Sequence, residues 1–272
     1  MSDRIENVGL QGMICGLDSK PRKFSTCLEC KHRVCRDYFV RAFAENVFPV
    51  NEGEYHVTEG VGPPAITKFR RENPYYLPQE ALVDMALGTA FHQWVELANT
   101  TPRDEPVGRT SHEVHRTYQL GPYKLVGTMD ICDFEAKEIV DIKVCGAYRT
   151  KQLLSKATKG EEDEYFHQVN VYRAAFMPDA RKLGLDVFLK DFSGFAQRTY
   201  KLKDRIYPIN VQIYDAGQEL EMVFDNIEQS LLDEPRNCTP EETWNGMRCK
   251  KFCPNYLCMC YQGPSYNPTD VT

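Results

Sequence analysis

The sequence predicts a mixed α/β fold, a central mixed sheet flanked by helices, with cysteine-rich metal-binding segments at both ends. Two observations predict it. Apolar residues switch between helical spacing and strict alternation in the order helix, three strands, helix, two strands, helix. The cysteines gather at the ends: of eleven, four lie in residues 15–35 and five in 238–260, leaving Cys132 and Cys145 between strands. The expected organisation is a cysteine-rich segment over 1–48, a core over 49–235 and a cysteine-rich tail over 236–272.

Residues 1–36 read as an irregular basic segment, followed by a short helix in RDYFVRAFAENVF. Residues 49–64, rich in Gly, Pro and Glu, read as a loop, and AITKFRREN before Pro74 as a short helix. In LPQEALVDMALGTAFHQWVELANT, Leu82, Met85, Ala86, Phe91, Trp94, Val95 and Ala98 recur at a spacing that suits a helix buried along one side, which Thr101-Pro102 ends. HEVHRTYQL alternates as a strand, Gly121-Pro122 marks a turn, and YKLVGTMDICDF and EIVDIKV continue as strands. A polar, basic stretch from Gly146 to Glu164 leads to the helix EYFHQVNVYRAAFM. LDVFLKDF and AQRTYKL read as two further strands, and NVQIYDAGQELEMVFDNIEQSLLDE as a long amphipathic helix.

Apolar and charged shares of 42% and 26% are those of a soluble globular protein. No apolar run reaches the roughly eighteen residues of a membrane span, so no membrane partner is expected. The start, MSDRIENVGLQG, lacks the basic and apolar regions of a secretory signal, so a reducing cytoplasmic setting is expected. There, clustered cysteines favour metal binding over disulfides. A net charge of −6 argues against adhesion to nucleic acid through bulk charge. It leaves room for an acidic site whose charge divalent cations offset.

The segment GTMDICDFEAKEIVDIKV places Asp130, Asp141 and Lys143 inside otherwise apolar strands. A strand interior rejects unpaired charge, so three such residues need an explanation. Alternation puts Asp141 and Lys143 on one face and Val140, Ile142 and Val144 on the other, where they can form core. Adjacent strands would set Asp130 beside Asp141, where two carboxylates repel unless a cation lies between them. Oxygen ligands suit magnesium or manganese. Lys143 would act on the attacking water and on a phosphate, giving a phosphodiester hydrolysis site. The alternative for the same residues is an edge ion pair.

GTMD followed by VDIK resembles motifs of the PD-(D/E)XK nuclease superfamily, of restriction-endonuclease-like fold. The likeness is greatest to its RecB-type branch, which includes CRISPR-associated and phage exonucleases. That branch carries a His on an upstream helix and Gln-x-x-x-Tyr on the helix after the lysine strand. GTAFH with His92 and HQVNVY with Gln168 and Tyr172 match both. The resemblance covers about residues 64–205 and implies roles residue by residue. His92, Asp130, Asp141 and the Ile142 carbonyl would hold the divalent metal. Lys143 would act on water and scissile phosphate, while Gln168 and Tyr172 would position the substrate or the lysine strand. Glu113 faces the same side as His115 and reads either as an accessory acid or as a solvent-facing strand residue.

The tail supplies Cys238, Cys249, Cys253, Cys258 and Cys260. Many RecB-type nucleases hold a 4Fe-4S cluster with three tail cysteines, the middle one followed by Pro, and one far upstream. Cys253-Pro254 resembles that middle position, which implies such a cluster, with zinc as the alternative. The spacing C-x3-C-x4-C-x-C departs from the family, and FRRENPYYL lacks the family's upstream Cys. The remaining ligand would come from Cys27, Cys30 or Cys35, or the tail would supply all four. Cys15, Cys27, Cys30 and Cys35 can alternatively form a separate zinc site, with His32 competing for a place.

The expected function is metal-dependent DNA hydrolysis, acting on single strands or ends in recombination, repair or phage DNA processing alongside recombination or replication proteins. The alternatives are a noncatalytic DNA-binding subunit and a zinc-stabilised interaction protein. Arg149, Lys151, Lys156 and Lys159 would form a flap over the phosphates. Tyr75, Tyr76 and Tyr148 are available to stack on bases or to fill the core.

Overall fold

The computed structural model of the chain describes residues 8–15, 17–31, 40–41, 43–44, 51–100, 110–244, 246, 248–249, 253, 255 and 258. His32, Cys35, Cys260 and most of the helix expected from Arg36 lie outside them. Strands β1 (Gly9–Ile14) and β2 (Pro21–Lys23) precede helix α1 (Phe24–Leu28). Strand β3 (Glu54–His56) leads into α2 (Val57–Gly60) and α3 (Pro64–Glu72), and β4 (Pro74–Pro78) into the long helix α4 (Gln79–Thr100). Next come β5 (Thr110–Leu120), β6 (Tyr123–Asp133), β7 (Glu138–Cys145), α5 (Ala147–Lys159), α6 (Glu164–Phe176) and β8 (Lys182–Leu189). Helix α7 (Gly194–Tyr200), strand β9 (Ile206–Val211) and helix α8 (Ala216–Leu231) follow. Among the described residues no helix is long and apolar enough to cross a membrane.

The chain divides into two compact units. The first comprises residues 1–52, 62–86 and 227–272. Its sheet runs β2-β1-β4, antiparallel between β1 and β2 and parallel between β1 and β4. Met13, Phe24, Cys27, Val40, Leu77 and Leu82 form its apolar cluster. The segment expected to be irregular before residue 36 therefore contains two strands and a helix. Its short apolar stretches are held by pairing with β4, which local composition does not reveal.

The second unit comprises residues 53–61 and 87–226. Its mixed sheet has six strands in the order β3-β6-β7-β8-β9, with β5 paired to β6. Strands β5 and β6 form a hairpin closed by Gly121-Pro122, with Leu120 opposite Tyr123. Gly121 has φ +59°, the left-handed conformation required at the first central position of a two-residue turn that carries proline second. Strand β6 pairs with β7 only over Ile131–Asp133 and Glu138–Val140, and nearer its start with β3 over Lys124–Val126. One edge of β6 is therefore shared by two strands with a gap between them. Strands β7 and β8 are parallel along the full length of β7, joined by a crossover through α5 and α6.

The core of this unit includes Leu125, Met129, Ile139, Val169, Val171 and Leu185, all fully buried. Ile142 is buried as expected, but Val140 and Val144 are only half-buried. The deeper face of β7 is the one carrying Asp141, which lies under α6 and is 2% exposed. Helix α6 is buried around much of its circumference and carries Asn170 in that interior. The Asn170 amide donates to the carbonyls of Phe166 and Gln212 and accepts from the Tyr214 N–H, which satisfies it.

Four local expectations are corrected. Residues 49–64 contain β3 and α2 rather than only a loop. The basic stretch after Gly146 is helix α5, stopped at Gly160 with φ +67°. AQRTYKL is largely helix α7, because the Ser193 side chain accepts from the Ala196 N–H and caps a turn there. The last strand is instead β9, where Ile209 and Val211 alternate into the core. Pro208 is compatible with that strand because β9 lies at a sheet edge.

Helices α6 and α8 are joined by an ion pair in which His167 Nδ1 lies 3.1 Å from both carboxylate oxygens of Glu219. Burial opposes the histidine's charge, but the Glu219 hydrogen bond and charge outweigh it and raise the histidine's pKa. A raised folded pKa means the stabilisation is complete below the unfolded value of about 6.5 and is lost as pH rises through the folded value. Unfolding free energy measured by urea titration should fall by on the order of 1 kcal/mol across that window. In Glu219→Gln the decline should be absent.

Candidate active site

The three charged residues of the central strands meet at the place where β6 and β7 part. Asp130 is the first β6 residue beyond the hairpin ladder. Its Oδ2 accepts a hydrogen bond from the Ile142 N–H at 2.6 Å, so the side chain continues the strand contact that the backbones have given up. Its Oδ1 lies 3.2 Å from His92 Nδ1 on α4. The same nitrogen lies 3.6 Å from Glu113 Oε1 on β5. Glu113 has φ +50° within a strand, where a side chain with a Cβ costs roughly 1–2 kcal/mol.

On the buried side, Lys143 Nζ lies 2.7 Å from Asp141 Oδ2 and donates to Gln168 Oε1 at 3.0 Å. The Gln168 amide donates to Tyr172 Oη at 2.8 Å and approaches Asp141 Oδ1 at 3.4 Å. Gln168 and Tyr172 are one turn apart on α6, so a single helix face sets both. Lys143 Nζ also lies 4.7 Å from the centre of the Tyr165 ring, and the Arg149 guanidinium lies 4.7 Å from the same centre.

Electrostatics follow from this crowding. Burial pushes the Asp141 carboxyl up to about 6; Lys143 works against that shift, and the nearby Asp130 adds to it. Burial alone would lower Lys143, but the Asp141 carboxylate outweighs it and raises the lysine above its ordinary value. Lys143 therefore remains an ammonium at neutral pH, suited to donating hydrogen bonds and stabilising negative charge rather than accepting a proton. His92 is raised chiefly by its hydrogen bond to Asp130.

The donor set fits a divalent cation. Glu113, Asp130 and Asp141 bring carboxylates to a region whose Lys143 ammonium contacts Asp141. The buried Asp141 Oδ2 makes its ion contact with Lys143 outside hydrogen-bonding geometry and has no hydrogen-bond partner. Two carboxylates held this close repel one another, and a cation shared between them offsets that cost beyond what Lys143 supplies at Asp141. Carboxylate and carbonyl oxygens suit magnesium or manganese, and an imidazole among them favours the softer manganese.

The expected site residues His92, Asp130, Asp141, Ile142, Lys143, Gln168 and Tyr172 come together in the second unit. The expected phosphate flap does not form in that way. Arg149 makes a two-pronged ion pair with Asp163, at 2.9 and 2.6 Å, and Lys156 lies 3.1 Å from the same carboxylate. Asp163 also caps α6 by accepting from the Tyr165 N–H. Those two cations therefore brace the helix start, while Lys151 and Lys159 are exposed. Tyr76 is buried in the first unit and cannot stack on a base there, whereas Tyr148 is exposed. Sequence reading missed Tyr165 and Asp163. The available signal was an Asp immediately before a helical run, a capping pattern.

In the first unit, Cys238, Cys253 and Cys258 are thiols rather than disulfides. Burial, then Glu242 and the neighbouring Cys253, Cys258 and Cys249, push the Cys238 thiol up to about 12. Burial likewise raises Cys253, with Cys249 and Cys258 adding to the shift. Four tail cysteines thus lie within electrostatic reach of one another. At the N-terminal group, Cys27 packs into the apolar cluster, while Cys15 and Cys30 line a cleft of about 570 Å³ with Asp18 and Glu29.

No model of a known protein family matches the chain, and no curated protein matches it. Among solved structures, SSO0001 is similar, with a TM-score of 0.50 and 18% identity over 88% of this chain and 94% of that one. The two share a fold. A phage-related exonuclease from Haemophilus somnus 129PT gives a TM-score of 0.33 and 16% identity, over 53% of this chain and 67% of its own.

The site leaves little room around Gly127 on β6. A methyl group there would lie 2.8 Å from the Phe176 ring, 2.9 Å from the Tyr172 ring and 3.1 Å from Val57. Gly127→Ala should displace the Tyr172 ring and lower unfolding free energy by about 1–3 kcal/mol, measured by chemical denaturation.

Proposed function

We propose that the chain is a divalent-metal-dependent nuclease that hydrolyses DNA phosphodiester bonds, acting on single strands or ends. The observation that carries this reading is the convergence of His92, Asp130, Asp141 and Lys143 where β6 and β7 separate, backed by Gln168 and Tyr172. It agrees with the resemblance to RecB-type members of the PD-(D/E)XK superfamily. His92, Asp130, Asp141 and the Ile142 carbonyl hold magnesium or manganese. Such an ion supplies Lewis acidity toward a phosphoryl oxygen and lowers the pKa of water.

The chain's own groups do the rest. Lys143, kept protonated by Asp141, donates toward the scissile phosphate and the attacking water, stabilising charge as it develops. Gln168 accepts from Lys143 and is itself fixed by Tyr172, so the ammonium is held in one direction. Asp130, anchored to the β7 backbone, keeps the two acids in register. A pure binding module has no need of a half-buried ammonium beside this pair of acids.

With manganese and labelled single-stranded DNA, Asp141→Asn and Lys143→Ala should each reduce cleavage by at least about 100-fold. Equal cleavage by wild type and both variants would remove the nuclease assignment, and DNA binding without cleavage by the wild type would favour a binding subunit.

In the tail, Cys238, Cys249, Cys253 and Cys258, with Cys260, are proposed to hold a 4Fe-4S cluster, or zinc in its place. Protein purified without oxygen should show visible absorbance that dithionite bleaches, with iron and sulfide on elemental analysis. A colourless protein containing stoichiometric zinc would select the alternative, and neither metal would dismiss the centre. The N-terminal Cys15, Cys27, Cys30 and Cys35 are proposed as a second zinc site or as donors of one ligand to the tail centre.

A further inference from the structure

The site's acids fall into two groups with different partners. Asp141 is engaged on the buried side by Lys143 and Gln168. His92, Glu113 and Asp130 form the other group, each offering one ligand atom, and those atoms lie within 4.8 Å of one another. Glu113 belongs to none of the motifs that carry the nuclease resemblance. Building on the nuclease reading above, we infer that Glu113 is a further ligand of the divalent cation, completing a His92–Glu113–Asp130 set.

Position supports this first. In the β5/β6 ladder His112 faces Ile131 and Val114 faces Met129, so Glu113 stands opposite Asp130. Its backbone departs from the extended conformation at that residue, and its carboxylate lies beside His92. His115, two residues along, lies 3.3 Å from Thr128 Oγ1 instead, so the set has one histidine rather than two.

Distances support it next. Glu113 Oε1 is 3.6 Å from His92 Nδ1, too far for a hydrogen bond. Asp130 Oδ1 is 3.2 Å from that nitrogen. Neighbouring ligand atoms around an octahedral ion of magnesium or manganese size lie about 3 Å apart, a spacing the His92–Asp130 pair has and toward which Glu113 has to close. Exposure also fits: side-chain exposures of 28% for His92 and 33% for Glu113 leave this side open to solvent, while Asp130 at 8% forms its floor. An ion and a phosphate can reach such a set directly.

The experiment titrates the full-length protein with Mn2+ alone, without DNA, using calorimetry and the paramagnetic resonance signal of bound Mn2+. Glu113→Gln is expected to weaken Mn2+ binding by at least about tenfold, since even outer partners of ligands cost roughly 10–100-fold, and Asp130→Asn should do likewise. Melting of Glu113→Gln in EDTA should match wild type. Wild-type affinity in Glu113→Gln alongside lost affinity in Asp130→Asn would overturn the inference and leave the nuclease reading intact. Early melting in EDTA with unchanged affinity would also overturn it, marking Glu113 as a structural prop. If Glu113→Gln both melts early and binds weakly, Glu113→Asp decides: recovered Mn2+ affinity supports a ligand, and no recovery overturns one. A wild type that neither binds Mn2+ nor cuts DNA would defeat both readings together.

Discussion

The 2.6 Å hydrogen bond from the Ile142 N–H to Asp130 is the contact on which the site's geometry depends. Strands β6 and β7 pair through only three residues each before they diverge. Without a tie beyond that point, the distance between Asp130 and Asp141 would be set by a short hairpin alone. The carboxylate substitutes for a carbonyl in the ladder, so one residue both closes the fork and presents an oxygen to His92. On the same strand, Gly127 leaves space for the Tyr172 ring of helix α6. Geometry at the acids and packing beneath them thus share one strand.

Charge is held inside this unit by giving each buried ion several partners. Lys143 has a carboxylate, an amide oxygen and the Tyr165 ring; Arg149 contacts the same ring and takes both oxygens of Asp163. A buried pair with one partner removed is strongly destabilising, because the remaining charge is stranded. Tyr165 thus offers its electron-rich ring to both cations. Helix capping at Asp163 is thereby linked to the orientation of the site lysine.

Much of this was legible in the sequence where chemistry and periodicity agree. Asp130, Asp141 and Lys143 stood out because charge inside an apolar alternating strand requires a reason, and the Gln168–Tyr172 spacing placed both on one helix face. The long helix with His92, the Gly121-Pro122 turn and strands β5 to β8 follow from local pattern alone. What was not legible depends on partners distant in the chain. Strands β1 and β4 exist through mutual pairing, and β3 through pairing with β6. The basic residues after Gly146 carried a charge signal compatible with phosphate contact, yet Asp163 takes up two of them. Which face of β7 lies deeper was also misjudged, because alternation separates faces without saying what covers each.

The crossover between β7 and β8 bears on how the site is assembled. Asp130 and Asp141 are linked through a tight local hairpin turn, in which the Asp133 side chain accepts from the Glu135 and Ala136 N–H groups. Gln168 and Tyr172 arrive only when the chain has closed the longer loop that brings Gln168 to Lys143. Entropy favours the short closure first, and non-local parallel pairing is slow. During refolding the acids would then be juxtaposed before the groups that restrain the lysine. A nascent chain would pass through a stage with two neighbouring carboxylates and an ammonium that Gln168 does not yet hold.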